Sequence, residues 1–180
     1  MNDCMNNWCI TMAKAIQHPN EMKELEHDFV DEVWNGDNYG FIEETHSDDY
    51  VGHWFDPEGG DVDQDGLEEF IRAAHAGFSD FEMELEFVLA EDDLVASGFT
   101  VSGTHDGEYV GIPPTGKQGT THGIMVHRFE EGLVAEAWAV WDALGQLQQL
   151  GVLPEKFTLA AFLETGANLA KSDVLNMTKR

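Results

Sequence analysis

Apolar and polar positions along the chain change period twice, and each change marks a class of element. Met22, Leu25, Phe29, Val33 and Trp34 recur near helical spacing with acidic residues between them, which predicts an amphipathic helix from Asn20 onward. Asn35-Gly36 is its stop signal. A second short helix is predicted at about 37–46 on Tyr39, Phe41 and Ile42, then a short extended segment over 49–54. Phe70, Ile71 and Ala74 form the buried stripe of a helix over 66–77, with Asp65 as N-cap and Glu68 completing a capping box. The period then drops to two. Phe81, Met83, Leu85, Phe87 and Leu89 alternate strictly, which predicts a strand. Further strands are predicted over 94–105 and 118–129, and Glu131-Gly132 turns a long hairpin into an arm ending at Asp142. A closing helix over 142–150 is broken by Gly151 and Pro154. Helices followed by antiparallel strands is α+β order. Residues 1–20 read as an N-terminal extension, 21–153 as the domain and 154–180 as a C-terminal helical extension.

On the outgoing arm Trp138, Val140 and Asp142 share one face, and Ala137, Ala139 and Trp141 share the other. A carboxylate in line with a Trp and a Val is the chemical oddity of the chain. Desolvated among them, Asp142 would have a raised pKa and could trade protons near neutral pH. The plainer alternative is a helix N-cap, since a helix begins directly after it. His53, beside Tyr50 and Trp54, is placed at a pocket mouth, where an imidazole orients a carboxyl or polarises a carbonyl. His105 is the second such candidate; its plain reading is a turn residue before Asp106-Gly107. Met125 and His127 share a face. Met125 is read as an adaptable pocket wall, with core packing as its alternative. Trp54 and Trp138 are the indoles expected to touch ligand, with Tyr50 and Val140 beside them.

Charge narrows the function classes. Nine Lys and Arg stand against thirty-five Asp and Glu, a formal net charge of −26. That field opposes nucleic acid and anionic lipid and suits a medium in which salt screens self-repulsion. A salt-adapted protein is the reading, an ordinary acidic protein the alternative. Cys4 and Cys9 have no partners for a disulfide framework. No stretch approaches the apolar length of a membrane span, and no basic leader precedes an apolar core; a cytoplasmic location is expected. Asp61-x-Asp63-x-Asp65-Gly66 has the start of a calcium loop, but Arg72 stands where a bidentate Glu is needed. His122, His127 and Asp142 lack the tight spacing of zinc ligands. No metal is expected.

Several motifs resemble one family. Trp34-Asn35-Gly36-Asp37, Tyr50-Val51-x-His53, Phe78-Ser79-Asp80, the run from Gly103-Thr104-His105 through Pro113-Pro114-Thr115-Gly116-Lys117, and His127-Arg128-Phe129 through Trp138 and Asp142 to Gln149-Leu150-Gly151 look like the SnoaL-like polyketide cyclases, also called ester cyclases, of the nuclear-transport-factor-2-like superfamily. The resemblance covers about residues 22–153. It implies a cone-shaped, curved, mostly antiparallel sheet packed on N-terminal helices around one pocket, a homodimer and no cofactor. It also implies a small apolar or aromatic ligand, and an intramolecular aldol closure with the Asp at the end of the last long strand as general acid/base. By position that residue is Asp142. The chain departs from the family pattern at Gly98, where Arg is common, at Met125, where a polar residue is common, and at Leu133-Val134, where Lys-Ile is usual. Two functions follow: a cofactor-free acid/base catalyst on a small apolar carbonyl compound, or a binding or assembly protein of the same fold.

Overall fold

A computed structural model describes residues 18–53 and 61–156. Trp54 and nearly all of the two expected extensions lie outside the described residues. Helix α1 (Pro19–Phe29) opens on a proline, whose missing N–H is no loss in a first turn. It passes into a π-helical turn, Val30–Trp34, closed by the Asn35 N–H donating to Val30 O. The Asn35 side chain then brackets the backbone of Met83: Nδ2 donates to its carbonyl at 2.9 Å, and its N–H donates to Oδ1 at 2.7 Å. The stop signal thus also bolts the helix to a strand. Gly36 is required there, because a Cβ would run into the Glu32 carbonyl.

Helix α2 (Gly40–Thr45) leads directly into β1 (His46–His53), and α3 (Gln64–Gly77) follows. The cap of α3 lies two residues before the expected one. Asp63 Oδ1 accepts from the Gly66 N–H at 2.9 Å, while Glu68 is engaged with Arg72 at 2.6 Å. Four long strands complete the sheet: β2 (Glu82–Glu91), β3 (Leu94–Thr104), β4 (Gln118–Glu130) and β5 (Leu133–Trp141), with α4 (Ala143–Gln149) after them. The strand order is β1-β5-β4-β3-β2, with β1 parallel to β5 and the other pairs antiparallel. The fold is α+β, its five-stranded sheet curved and open.

Period two sends Val95, Ser97 and Phe99 of β3 and Met125, His127 and Phe129 of β4 to the inner face, where all are buried. They pack with Met22, Phe29 and Val33 of the first helical segment and with Ile42 and Ile71. The outer face carries Phe87, Leu89, Ile124, Trp138 and Val140, all exposed. Between β3 and β4 the chain folds back on α3. The N–H groups of Asp106 and Gly107 donate to the Gly77 carbonyl at 3.2 and 3.0 Å, and Tyr109 packs over Gly77, where a Cβ would strike its ring. This brings Phe78 and Tyr109 edge to face at 5.2 Å.

Candidate functional site

Between the helices and the inner face lies a cavity of about 90 Å³, counted as room for the centres of water molecules. One water needs roughly 10–15 Å³ on that measure, so the space suits a small organic molecule. The room comes from sequence. Opposite His127 and Met125 on β4 stand Ala137 and Ala139 on β5, whose methyl groups leave the volume unfilled. Phe29, Trp34, Tyr50, Phe70, Phe99 and Trp141 form aromatic walls, and Phe78 and Tyr109 stand at the side closed by the β3–β4 loop. Flat apolar rings are the natural partners of such walls.

Two imidazoles interrupt the apolar lining. His127 is 6% exposed and its Nδ1 lies 2.6 Å from Glu26 Oε2. Glu26 is 2% exposed, and its other oxygen accepts from the Ser97 hydroxyl at 2.5 Å. Burial alone would push the Glu26 carboxyl up. The charge of His127 and the hydrogen bonds from His127 and Ser97 outweigh it and hold the carboxyl below its ordinary range. An ionised Glu26 only accepts, so His127 Nδ1 carries a proton toward it, and Nε2 is the nitrogen left for the cavity. Ser97, Glu26 and His127 thus form a chain from β3 through α1 to the cavity.

His46, at the start of β1, also lines the cavity, its ring 6.4 Å from that of His127 and edge-on to Tyr50 at 4.7 Å. Burial, and secondly the charge of His127, draws its pKa down to about 3; it is a neutral imidazole. Its tautomer follows from Thr45. That hydroxyl has one proton, donated to the Phe41 carbonyl at 2.6 Å, so toward His46 Nδ1, at 3.0 Å, it accepts. Nδ1 therefore holds the proton and Nε2 a bare lone pair, buried and without a hydrogen-bond partner among the described residues.

The residues expected from the sequence divide. Tyr50, Met125 and His127 line the cavity, and burial pushes the Tyr50 phenol up. Trp138 and Val140 do not. They are 38% and 69% exposed on the outer face, because the arm turns its small residues inward and its large ones out. Asp142 is exposed and caps α4, its Oδ1 accepting from the Gly145 N–H at 2.8 Å. Its neighbours Trp141 and Gln146 reach the cavity, but its carboxylate is not in the lining. His53 sits on the sheet's outer side, stacked on Trp138 at 5.4 Å, with Nε2 2.8 Å from Glu136 and Nδ1 3.0 Å from Asp61. The hydrogen bond to Glu136, foremost, raises its pKa. Arg128 donates to the same Glu136 at 2.9 Å, so the cluster is a surface charge network. His105 is fully buried behind Phe78, its Nδ1 3.2 Å from Thr115 Oγ1 and its backbone paired with Lys117 and Gly116. It holds the loop and does not line the cavity. Gly98 lies on the outer face under the Phe87 ring, so the departure there does not reach the cavity.

Glu26, Ser97, His46 and Tyr109 were not singled out in the sequence. For Glu26 a signal exists: it stands four residues after Met22 and three before Phe29, on the apolar stripe of α1. No group of three or more His, Cys, Asp or Glu among the described residues has the arrangement of a metal site, and no described helix is long and apolar enough to cross a membrane.

Comparison with known proteins agrees with this architecture. AclR from Streptomyces galilaeus, described as a candidate hydroxylase, is 30% identical, with a TM-score of 0.69 over 89% of this chain and 98% of its own. A candidate polyketide cyclase from Acidithiobacillus ferrooxidans is 29% identical, with a TM-score of 0.65 over 76% and 97%. IdmH from Streptomyces antibioticus, a candidate polyketide cyclase, is 26% identical, with a TM-score of 0.63 over 72% and 97%. No curated protein matches the sequence. The family profile of the SnoaL-like polyketide cyclases matches residues 25–150, from α1 to the end of α4, and the chain belongs to that family.

Proposed function

We propose that the protein is a cofactor-independent acid/base catalyst acting on a small, largely aromatic carbonyl compound, with His127 moving the proton. The observation that carries this reading is the buried Ser97–Glu26–His127 chain ending at a largely apolar cavity. In its neutral form, with the ring proton on Nδ1 toward Glu26, His127 Nε2 takes a proton from the carbon next to the substrate carbonyl. The C–H pair becomes an enolate, and Glu26 balances the imidazolium that forms. The enolate then closes on a second carbonyl of the same molecule, whose oxygen takes the proton back from the imidazolium, or it is reprotonated by the imidazolium at another carbon. Glu26 is a positioning residue: it fixes the ring and its tautomer and does not touch substrate.

The test is exchange of α-protons for deuterium in 1-tetralone and smaller aryl ketones, followed by NMR in D2O. Exchange above the buffer rate is expected, lost in His127→Phe and retained in Asp142→Asn. Glu26→Gln should slow exchange, because the carboxylate that fixes the ring and its tautomer is gone. Exchange that survives His127→Phe but not Asp142→Asn would return the proton to the Asp142 carboxylate. A second reading, ligand binding without chemistry, is favoured by Met125 in the cavity wall where the family pattern has a polar residue; it expects tight retention of aromatic ligands with no exchange.

The same proposal includes a homodimer through the outer face of the sheet. Phe87, Leu89, Ile124, Trp138 and Val140 are all exposed there and lie on adjacent rows of the ladder, beside Gly98 and Ala96. A contiguous apolar surface of this kind needs a cover, and a second copy supplies a self-complementary one.

A further inference from the structure

We infer that His53 makes association through the outer face of the sheet depend on pH: charged, it seals one end of the interface, and losing its proton loosens the pair. The inference rests on the homodimer proposed above and is independent of the chemistry in the cavity. One cross-strand row of the outer face runs Leu89, Ala96, Val126 and Trp138 and ends on β1 at His53. The His53 ring lies on the face of the Trp138 indole, with centroids 5.4 Å apart and planes at 27°, so a second copy covering this row reaches the histidine. Both of its nitrogens face carboxylates, Nδ1 at 3.0 Å from Asp61 and Nε2 at 2.8 Å from Glu136. An ionised carboxylate only accepts, so the two contacts call for a proton on each nitrogen, an imidazolium. Such a cation gains further from the indole beneath it.

Among the described residues the charged groups around this ring are Asp61, ahead of α3, Glu136 on β5 and, behind Glu136, Arg128 and Glu130 on β4. With His53 charged, two cations stand among three carboxylates; without its proton, Arg128 stands alone. In the free chain water screens that difference, since the His53 and Glu136 side chains are 31% and 27% exposed. A second copy laid over Trp138 displaces that water, and the attraction between imidazolium and carboxylates strengthens as the local dielectric falls. A neutral ring would instead leave Glu136 and Asp61 to be desolvated with one cation fewer, which is costly. The dimer therefore holds the proton more tightly than the monomer does, and by reciprocity the proton holds the dimer. In the monomer the hydrogen bond to Glu136, foremost, already raises the ring above the ordinary 6.5. The contribution to association is whole while the monomer is still protonated, and it is lost as pH rises through the higher value of the dimer. His122, also on this face, is built differently. Thr100 donates its one proton to Glu86 at 2.6 Å and accepts from His122 Nδ1 at 2.9 Å, so that ring meets a hydroxyl rather than a carboxylate.

Sedimentation equilibrium from about pH 6 to pH 9 in molar potassium chloride tests this; the salt screens the long-range repulsion between two chains of charge −26 but not direct contacts. A ring whose pKa lies about half a pH unit higher in the dimer, counted for both protomers, weakens wild-type association about tenfold over that range. His53→Gln, with its fold checked by circular dichroism, should hold the weak affinity at every pH. His122→Gln should keep the full dependence. The reciprocal effect is read by NMR in protein carrying 15N-histidine. The His53 ring should titrate at higher pH in the wild type at dimeric concentration than in Val140→Lys, whose added charge in the apolar face keeps the chains apart. A wild-type affinity that does not change with pH, or a dependence that survives in folded His53→Gln, would overturn the inference and leave the dimer standing. A wild type monomeric at every pH would overturn both, so sedimentation alone tells the two failures apart.

Discussion

Acid should weaken this fold through His46 before it does so through most carboxylates. In the folded chain burial holds that imidazole neutral down to about pH 3, against an ordinary value of 6.5. Below 6.5 the unfolded chain takes up a proton that the folded chain refuses. The stability His46 permits is therefore whole above pH 6.5 and drains away as pH falls toward 3. Each unit in that window is worth about 1.4 kcal/mol. The loss reaches about 2 kcal/mol at pH 5 and about 3 kcal/mol at pH 4, a large part of a typical 5–15 kcal/mol. At 2% exposure little solvent screening reduces these figures. Thirty-five carboxylates also titrate as pH falls and relieve repulsion, so the effect must be read as a difference. Urea unfolding of wild type and His46→Leu, followed by circular dichroism in molar potassium chloride, isolates it. The gap between the two should change by about 1.4 kcal/mol per pH unit below 6.5, or about 1 M in midpoint by pH 5. A gap that stays constant from pH 7 to pH 4 would falsify the account and mean that His46 takes up its proton in the folded protein as readily as in the unfolded chain.

Asp142→Ala should cost about 1 kcal/mol, the worth of a helix cap, and lower Tm by about 2–4 °C; thermal unfolding reads it, and a loss above 3 kcal/mol would imply a buried role that the exposed carboxylate lacks. Val140→Lys should halve the mass seen by sedimentation and leave proton exchange in 1-tetralone unchanged; a wild type already monomeric at micromolar concentration would remove the dimer. The net charge of −26 should make folding depend on salt, with secondary structure lost at low ionic strength and regained in molar potassium chloride. A full circular dichroism spectrum in dilute buffer would count against that.

Most of the fold was legible because period and punctuation agree. The alternation from Phe81 to Leu89 became β2, although a bulge between Leu85 and Phe87 turns Phe87 and Leu89 to the outer face, and Glu131-Gly132 became the β4–β5 turn, with both residues at positive φ, 52° and 89°. Where the reading slipped, two local signals of equal chemistry competed. Asp63 and Asp65 are both fit to cap α3, and position decided for Asp63: Gln64 beside it donates to the carbonyls of His46 and Ser47 at 3.2 and 2.7 Å, tying that turn to β1. Strand β1 was foreseen from Asp49 but begins at His46; its ladder to β5 starts at His46 and resumes at Val51 after an irregularity, so Ser47 and Asp48 belong to the strand in spite of their polarity.

The site was harder to read, for a reason intrinsic to sheets. Alternation says which side chains share a face and nothing about which face is enclosed. Trp138 and Val140 look like a pocket wall and Ala137 and Ala139 like filler, yet a cavity exists only where side chains are too small to fill it. The hollow therefore lies over the alanines, and the bulky pair was free to form an outer apolar surface. The acidic group at the site was hidden by the opposite logic. Among many surface carboxylates, Glu26 is distinguished by place alone: Met22, Glu26, Phe29 and Val33 follow one helical stripe, and a charge on such a stripe must be paired or lost. Its partner, His127, sits 101 residues away. Only the register of the folded sheet, with Ser97 and His127 on neighbouring strands, brings donor, acid and base into one line.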